Sequence, residues 1–304
     1  MLGEIFYWIF NMSIAAVICG LPVLLIRMIK KIPRRVTVWL WLIPFIRMLM
    51  PVGIAGKYGL MTFISRFTTK TVTVYEPDEF FRVSMMNHMM AADSYAPLTY
   101  KTDLLADLFG VACWIWLVAG FALMIAFFII YAVTLGELRD AQHIEENIYI
   151  SDKVTSPALY GVLNSRIILP KEYPADELKY ILMHERAHAQ RGDNLVRLLA
   201  LVTVCVHWFN PLAWLFLKLL FSDLELACDE AVLRKCTAEQ RKEYAHTLLS
   251  AVERTSVFAS SFGGAKIRLR VENILSYKKL SALSAAGMIA LLIAIAYILL
   301  TNAA

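Results

Sequence analysis

Two histidines and a glutamate form the pattern in this chain that is most capable of chemistry. His184 and His188 lie four residues apart, with Glu185 between them. On a helix this spacing places both imidazoles on one face, where they can bind a single Zn²⁺. Glu185 can then act as general base toward a water molecule that the metal activates. Pro174 before the motif and Gly192 after it indicate that a helix begins and ends around it.

A second acidic motif lies downstream, between Glu225 and Asp229. Glu225 would be the third protein ligand, which leaves the fourth position of the ion to water. Asp229 follows one turn later on the same helical face and can orient a ligand histidine from behind. In the alternative interpretation both carboxylates belong to a solvated helix face beside Arg234 and Lys235. Because both motifs are present, the sequence favours a zinc hydrolase with one ion per chain.

The composition indicates a membrane protein. Hydrophobic residues make up 59% of the 304 positions, more than a soluble domain needs. The formal net charge of +5 suits loops that face anionic lipid. No basic run alternates with aromatic residues, so direct nucleic-acid binding is not expected. The five cysteines form no CxxC pair, and we expect no disulfide framework.

Four segments are long and apolar enough to cross a bilayer. We interpret the first as a retained anchor, because it is too long for a signal peptide and lacks a basic start and a small-residue cleavage site. The second is weaker, since Pro44, Arg47 and Pro51 interrupt it. The charge of Arg47 either couples the outer loop to the inner domain or reaches lipid headgroups. The four segments are residues 5–26, 36–56, 108–133 and 282–300.

Loop charges predict the orientation of these spans in a bacterial cell membrane. Residues 27–35 contain five basic side chains in nine positions, so this loop faces the cytoplasm and both chain termini lie outside. The zinc motif then falls in the cytoplasm. The predicted domains are two spans with the basic loop (1–56), an extracellular loop (57–107), a third span (108–133), a cytoplasmic metallopeptidase domain (134–281) and a fourth span with a short outer tail (282–304).

Residues 195–221 form a fifth apolar stretch that hydropathy alone would assign as a spanning helix. A single crossing would place His188 and Glu225 on opposite sides of the membrane, where they could not share a metal ion. Asn210-Pro211 also breaks the stretch in its middle. We therefore predict two shorter helices, either buried in the catalytic domain or dipping into the inner leaflet as a re-entrant hairpin. The alternative is a true fifth span with an accidental zinc motif.

Short strands are predicted before the zinc motif, at 148–150, 158–161 and 166–169, with a turn at Asn164-Ser165. A strand edge beside a zinc helix can bind an extended peptide by backbone hydrogen bonding. An ordinary hairpin that packs under the helix is the simpler alternative, and the two interpretations are compatible. The candidate edge residues are Ala158, Leu159, Tyr160 and Gly161.

Taken in order, these motifs resemble the integral-membrane regulatory zinc peptidases of the β-lactam sensor and methicillin-resistance type (BlaR/MecR-type). The resemblance implies a mainly α membrane protein with four transmembrane helices and an α+β, gluzincin-like zinc peptidase domain between helices 3 and 4. It also implies signal transduction in an antibiotic response, in which an outside stimulus activates cytoplasmic cleavage of a transcriptional repressor, of the chain itself or of both. The matching segments are Arg47 to Pro51, Ser156-Pro157 with Tyr160-Gly161, Ile167 to Pro170, His184 to His188, His207 to Pro211 and Glu225 to Glu230.

One departure from the family pattern concerns the sensor. β-Lactam sensors of this family carry a penicillin-binding domain after the last membrane helix, whereas this sequence ends at Ala304 and has no outside Ser-x-x-Lys nucleophile motif. We therefore expect either a natural member without that sensor domain or a truncated chain, and we do not expect direct sensing of β-lactams. The loop 57–107 or another protein would then receive the signal.

The sequence leaves the transition-state stabiliser open between His207 and Tyr160, although a lone histidine in an apolar stretch is more often structural. Two other functions also stay open: a non-catalytic receptor or scaffold that contains zinc, and a constitutive membrane quality-control peptidase. Glu185 argues against the scaffold, because a structural zinc site needs no base. The expected partners are a protein or peptide substrate and the lipid bilayer, with a homodimer left open.

Overall fold

The computed structural model describes residues 2–29, 32–51, 58–60, 62–64, 103–162, 164–254, 267–277 and 282–301. Most of the predicted extracellular loop 57–107 therefore lies outside the described residues. Within the described ranges, the helices are α1 (Leu2–Arg27), α2 (Arg34–Leu49), α3 (Asp103–Glu137), α4 (Ala175–Arg191), α5 (Asp193–Val206), α6 (Pro211–Leu233), α7 (Ala238–Arg254) and α8 (Ala282–Leu300). A further helical segment covers 267–275. The strands are β1 (Gln142–Glu145), β2 (Ile148–Ser151), β3 (Ala158–Tyr160) and β4 (Arg166–Pro170). The protein is mainly helical with one small sheet, as the sequence predicts.

Two of the described helices are long and apolar enough to cross a membrane, Ile5–Arg27 in α1 and Leu108–Glu137 in α3. Helix α2 has 16 residues and ends at Leu49, so it covers only the first part of the predicted span 36–56. At 1.5 Å per residue it is about 24 Å long, somewhat less than a hydrocarbon core of about 30 Å. Helix α8 contains no charged side chain among its 19 residues. The passage of α2 and α8 through the membrane stays a prediction.

The apolar stretch 195–221 consists of two helices, as the sequence predicts. Helix α5 ends at Val206 and α6 begins at Pro211. The side chain of Asn210 accepts a hydrogen bond of 2.9 Å from the backbone N–H of Leu212. Asparagine in this capping position satisfies one free N–H of the new helix, and proline at the first helical position has no N–H to satisfy. The stretch is therefore a helical hairpin with a defined corner.

This hairpin extends along most of α1. At its tip, the ring of Phe209 lies 5.7 Å from the ring of Phe6, centroid to centroid. At its base, Asp223 of α6 accepts a hydrogen bond of 2.8 Å from Nε of Arg27. Positions 6 and 27 of a helix are about 30 Å apart at 1.5 Å per residue. The hairpin therefore lies along nearly the whole length of α1, and its depth in the membrane stays a prediction.

Buried residues of α1, α2, α5 and α6 form one continuous hydrophobic cluster. Close contact between α1 and α6 depends on Gly20, because a Cβ atom at this position would overlap the ring of Phe216. Trp41 of α2 packs on the same ring at 5.4 Å between centroids. The hairpin therefore shares one hydrophobic cluster with α1 and α2, and whether it enters the membrane stays a prediction.

The four strands form a mixed sheet in the order β1-β2-β4-β3. Strands β3 and β4 are the antiparallel hairpin that the sequence predicts, and β2 pairs with β4 in parallel. Strand β1 was not predicted, because all its residues are exposed and its hydrophobicity does not alternate. Ile167 and Leu169 of the sheet pack against Leu178 and Leu182 of α4. The sheet thus supports the helix that carries the histidines and leaves β3 at an edge.

Candidate metal centre

Helix α4 carries the three residues of the histidine motif, and His184, Glu185 and His188 are all buried. The helix ends at Gly192, which has a φ of 66° in the left-handed region. Glycine adopts this conformation without a steric penalty. The resulting sharp turn lets α5 begin at Asp193 and brings that residue back toward the end of α4.

The two imidazoles converge on one point, and Glu225 of α6 approaches it from the side. Nε2 of His184 and Nε2 of His188 are 3.1 Å apart. Each of these nitrogens lies 3.5 Å from a carboxylate oxygen of Glu225. Donor atoms bound to one Zn²⁺ at about 2.0–2.2 Å in tetrahedral geometry are separated by about 3.3–3.6 Å. The residues therefore fit a zinc ion both in donor type and in spacing.

Cys228 lies beside the same histidines. His184, His188 and Cys228 form a buried cluster whose donor atoms all lie within 4.8 Å of one another, an arrangement compatible with a metal ion. The Cys228 thiol, however, donates to the carbonyl oxygen of His184 at 3.3 Å. Since Glu225 is only 3.5 Å from both ring nitrogens, we favour its carboxylate over this thiol as the third donor.

A polar network lies behind His184. Its Nδ1 is 2.9 Å from Oη of Tyr244 and 3.3 Å from Oδ1 of Asp229. Tyr244 donates to Asp229 at 2.6 Å, and Arg270 donates to both carboxylate oxygens at 2.8 and 2.7 Å. Burial alone would raise the pKa of Asp229, but Arg270 and His184 together lower it to about 2. An ionised carboxylate behind the ring favours the tautomer whose Nε2 lone pair faces the other donors.

His188 has a similar partner that sequence analysis missed. Its Nδ1 lies 2.6 Å from Oδ2 of Asp193, which is buried and also accepts a hydrogen bond of 3.2 Å from Nε of Arg191. Each histidine of the pair therefore has a carboxylate behind Nδ1. The signal in the sequence is an acidic residue directly after Gly192, where the turn returns the chain to the histidine helix.

Two arginines flank Glu225, and neither was identified as a site residue from the sequence. Nη2 of Arg197 donates to Oε1 of Glu225 at 2.5 Å, and Nη1 of Arg270 lies 3.7 Å from Oε2. Arg270 also approaches Nε2 of His184 at 3.3 Å. Arg270 lies in the helical segment 267–275, so only the fold reveals its proximity to a motif more than 80 residues earlier in the chain. The Glu225 carboxylate is thus held between two cations and two imidazoles.

Tyr160 of β3 lies within electrostatic range of Glu185. Burial raises the pKa of Glu185, and the negative charge of Glu225 adds to this, whereas the two histidines oppose it. Burial and the nearby charge of Glu185 also raise the pKa of Tyr160. A carboxylate that is poorly solvated binds a proton more strongly. The arrangement therefore combines a base with a phenolic hydroxyl in its electrostatic neighbourhood.

Strand β3, the candidate substrate edge, is indeed at an edge of the sheet. Asn194 of α5 donates through Nδ2 to the carbonyl oxygens of Leu159 and Gly161, at 3.1 and 2.8 Å. The start of α5 therefore fixes the position of this strand beside the histidine helix. Peptide binding along Ala158 to Gly161 stays a prediction.

His207, the other candidate stabiliser, lies away from the histidine pair. Its ring is fully buried at the tip of the hairpin, and Nε2 is 3.0 Å from the carbonyl oxygen of Met48 in α2. The 14 residues of α5 separate it from Asp193, about 21 Å at 1.5 Å per residue. The structure thus places Tyr160 within electrostatic range of Glu185 and His207 beside α2.

Comparisons with known proteins all indicate the same family. The sequence model of a family described as BlaR1 peptidase M56 matches residues 7–274. The regulatory protein BlaR1 of Bacillus licheniformis is 34% identical over 143 residues, which are 44% of this chain and 24% of that protein. The regulatory protein BlaR1 of Staphylococcus aureus is 27% identical over 137 residues, 41% of this chain and 23% of that protein. The methicillin resistance mecR1 protein of Staphylococcus aureus is 27% identical over 103 residues, 33% of this chain and 18% of that protein. The match spans about a quarter or less of the length of these curated relatives.

Proposed function

The chain belongs to the M56 family of BlaR1 peptidases, and we propose that it is a membrane-embedded zinc metalloendopeptidase that acts in signal transduction. One observation carries this proposal. The donor atoms of His184, His188 and Glu225 lie 3.1 to 3.5 Å apart, and each ring has a carboxylate behind it. This spacing suits a zinc ion and leaves one coordination position open.

Three side chains would hold the ion, and two others would orient them. His184 and His188 would bind through Nε2, and Glu225 through its carboxylate. Asp193 accepts the Nδ1 proton of His188, and the Tyr244 hydroxyl and Asp229 lie 2.9 and 3.3 Å from Nδ1 of His184, so both Nε2 lone pairs would face the centre. A zinc ion bound there would act as a Lewis acid: it would polarise a peptide carbonyl and lower the pKa of a bound water molecule toward neutrality.

Proton transfer falls to Glu185. Its buried carboxylate accepts the proton of the attacking water molecule and then delivers it to the amine of the leaving peptide. Desolvation of this carboxylate strengthens it as a base. Tyr160, whose pKa responds to the charge of Glu185, is our candidate donor of a hydrogen bond to the oxyanion. Extended substrate would pair with the edge strand β3.

We also propose a multi-pass topology in a bacterial cell membrane, with four spans (α1, α2, α3 and α8) and an α+β, gluzincin-like domain between the third and the fourth. The N-terminus and C-terminus lie outside, and the peptidase domain lies in the cytoplasm beside the basic loop 27–35. Reporter fusions on either side of residues 195–221 test the hairpin. Both should report a cytoplasmic location, and opposite locations would contradict a shared metal site.

A transcriptional repressor, the chain itself or both are the proposed substrates. Support comes from the relatives, two of which are named regulatory protein BlaR1 and a third methicillin resistance mecR1 protein. The cytoplasmic placement of the site would give it access to a DNA-binding regulator while a stimulus is received outside. The inducing stimulus would act on the extracellular loop or on a partner protein.

The substitution Glu185→Gln tests the enzymatic function. Purified full-length chain loaded with zinc should hydrolyse labelled casein or cleave itself, and the variant should lose this activity while it keeps its zinc. Glu239→Gln removes a carboxylate from an exposed helical position and serves as the matched control, with unchanged activity. Equal proteolysis by wild type and Glu185→Gln would refute the peptidase. A wild-type protein that contains zinc but cleaves neither casein nor itself would instead favour the non-catalytic receptor or scaffold.

A further inference from the structure

A cavity of about 860 Å³ lies on the opposite side of α6 from the histidine pair. Leu224, Ala227, Ala231 and Arg234 line it and recur every three or four residues, so they form one face of the helix. The other walls come from the start of α2, from the junction of α4 and α5, and from residues 273–277. Ligand sites in proteins commonly occupy about 300–1,000 Å³. The cavity is therefore large enough for a small molecule or for part of a lipid.

The polar part of the cavity offers hydrogen-bond donors that the protein does not use. The guanidinium groups of Arg35 and Arg234 form no hydrogen bond or ion pair with any side chain or backbone group in the described part of the chain. Nδ2 of Asn273 is buried at the same cavity and has no hydrogen-bond partner among the described residues. A buried donor without a partner is costly, so Nδ2 of Asn273 indicates a missing acceptor.

Both carboxylates that line the cavity already have hydrogen-bond partners within the protein. Glu230 accepts hydrogen bonds from the backbone N–H groups of Arg34 and Arg35, at 2.8 and 3.3 Å. Asp193 is bound to the ring of His188 and to Arg191. Three arginines, Arg35, Arg191 and Arg234, outnumber these two carboxylates in the lining and leave it with a net charge of +1, which an anion matches.

The remaining wall is apolar and lies where α1 ends. Val38, Trp39 and Leu42 of α2 line this wall, and Trp39 is 64% exposed. The span in α1 ends at Arg27, which pairs with Asp223, the residue before the cavity-lining Leu224. Tryptophan is enriched at the level of lipid headgroups. The cavity thus sits at the proposed cytoplasmic surface of the bilayer, with cations on one side and an apolar wall on the other.

We propose that this cavity binds an anionic phospholipid. Its phosphate lies between Arg35 and Arg234 and accepts from Asn273, and an acyl chain follows Val38, Trp39 and Leu42 into the bilayer. A free phosphate would leave the apolar wall without a partner, and a zwitterionic lipid would bring its own cation to the arginines. This site shares Asp193 with the group that orients His188 but contains none of the proposed metal donors, and it depends on the proposed placement in the membrane.

Quenching of Trp39 by brominated lipid tests the site. The full chain and its Trp39→Phe variant are reconstituted in phosphatidylcholine vesicles, and the difference in their fluorescence isolates Trp39. Brominated phosphatidylglycerol should quench this difference at a mole fraction about tenfold lower than brominated phosphatidylcholine. In Arg35→Gln/Arg234→Gln the preference should disappear, since each basic side chain near a membrane surface contributes several-fold.

The matched control is Arg139→Gln/Arg268→Gln, which removes the same charge from two exposed positions outside the cavity and should retain the preference within twofold. Equal losses in both double variants would attribute the effect to general surface charge and overturn the site. Displacement of the lipid by inorganic phosphate, or by a glutamate-rich peptide, would also overturn it, because the acyl chain would then contribute nothing. Zinc content and circular dichroism verify folding, and the single variants are compared in the same way if the double variant does not fold.

Discussion

Helix α6 carries acidic residues on two opposite faces, and the difference between them shows how this fold connects a helical bundle with the candidate metal centre. At about 100° per residue, Asp223 and Glu230 share one face, and Glu225 and Asp229 share the face opposite. The first pair faces α1 and α2, and the second faces the histidines of α4. Identical residue types on one helix therefore meet entirely different partners.

Asp223 and Glu230, the pair that faces α1 and α2, fix the position of those helices relative to α6. Asp223 is fully buried and accepts hydrogen bonds of 2.8 Å from both Nε of Arg27 and Nε1 of Trp41. Glu230 accepts from the backbone N–H groups of Arg34 and Arg35, the first two residues of α2. A carboxylate at a helix N-terminus satisfies free N–H groups and interacts favourably with the helix dipole. Both contacts attach α6 to the bundle.

Glu225 and Asp229, the pair that faces α4, contact groups that can change their charge or bind a metal. Glu225 contacts two ring nitrogens and lies between two arginines, while Asp229 is held ionised by Arg270 behind His184. The lesson is that the opposing element decides the role of a carboxylate.

The largest effect that separates the two faces is expected for Glu225→Gln. Loss of the third donor should weaken zinc binding by more than the 10–100-fold that is typical of outer-shell substitutions, and proteolysis should fall below detection. Zinc content after dialysis against a chelator and casein hydrolysis measure both effects. Glu230→Gln, on the other face, should keep a full complement of zinc. A variant at Glu225 that still binds one zinc ion per chain would transfer the role of third donor to Cys228.

The sequence predicted the roles of the residues on one face of α6 but not of those on the other. Glu225 and Asp229 were predicted because a metal held by His184 and His188 needs a third donor, and spacing on a helix then suggested a second carboxylate. The partners of Asp223 lie more than 180 residues earlier, in Arg27 and Trp41, and no local pattern connects them.

For the fold as well, the sequence predicted local features but not long-range packing. The break at Asn210-Pro211 follows from backbone chemistry, and the structure confirms two helices there. How far the hairpin extends along α1 depends on packing between the two, such as that of Phe209 on Phe6. Hydropathy alone does not predict such a contact. Asp193 escaped prediction because its function depends on the left-handed turn at Gly192.

A smaller effect on the site is expected for the carboxylates behind the rings. Asp229→Asn and Asp193→Asn should each weaken zinc binding about 10–100-fold, because the amide no longer fixes the tautomer of its histidine. Competition with a fluorescent zinc chelator gives the affinities. Asp152→Asn, at an exposed position, is the matched control and should bind zinc as wild type does. Wild-type affinity in both site variants would mean that the two carboxylates only support the structure.

The substitution Asp223→Asn should act on stability and leave the metal in place. The neutral amide can still accept from Trp41, but Arg27 loses its ionic partner in a buried position. A loss of about 1–3 kcal/mol in the free energy of unfolding is expected for such a change. Thermal unfolding in detergent and zinc content are measured on the same sample. Loss of zinc at temperatures where the helices are intact would contradict the separation of the two faces.

The smallest effect is expected for Glu230→Gln, and it tests whether charge or hydrogen bonding holds α2 in place. Glutamine can still accept from one of the two N–H groups, so only the interaction of the carboxylate with the positive end of α2 is lost. Interactions of a charge with a helix terminus contribute about 0.3–1 kcal/mol, and up to about 2 kcal/mol where they are partly buried. Glu230→Ala removes the acceptor as well and should destabilise the protein further, with zinc binding unchanged in both variants. If the two variants unfold at the same temperature as the wild type, the contact between Glu230 and α2 is incidental, and Asp223 alone attaches this face of α6 to the membrane helices.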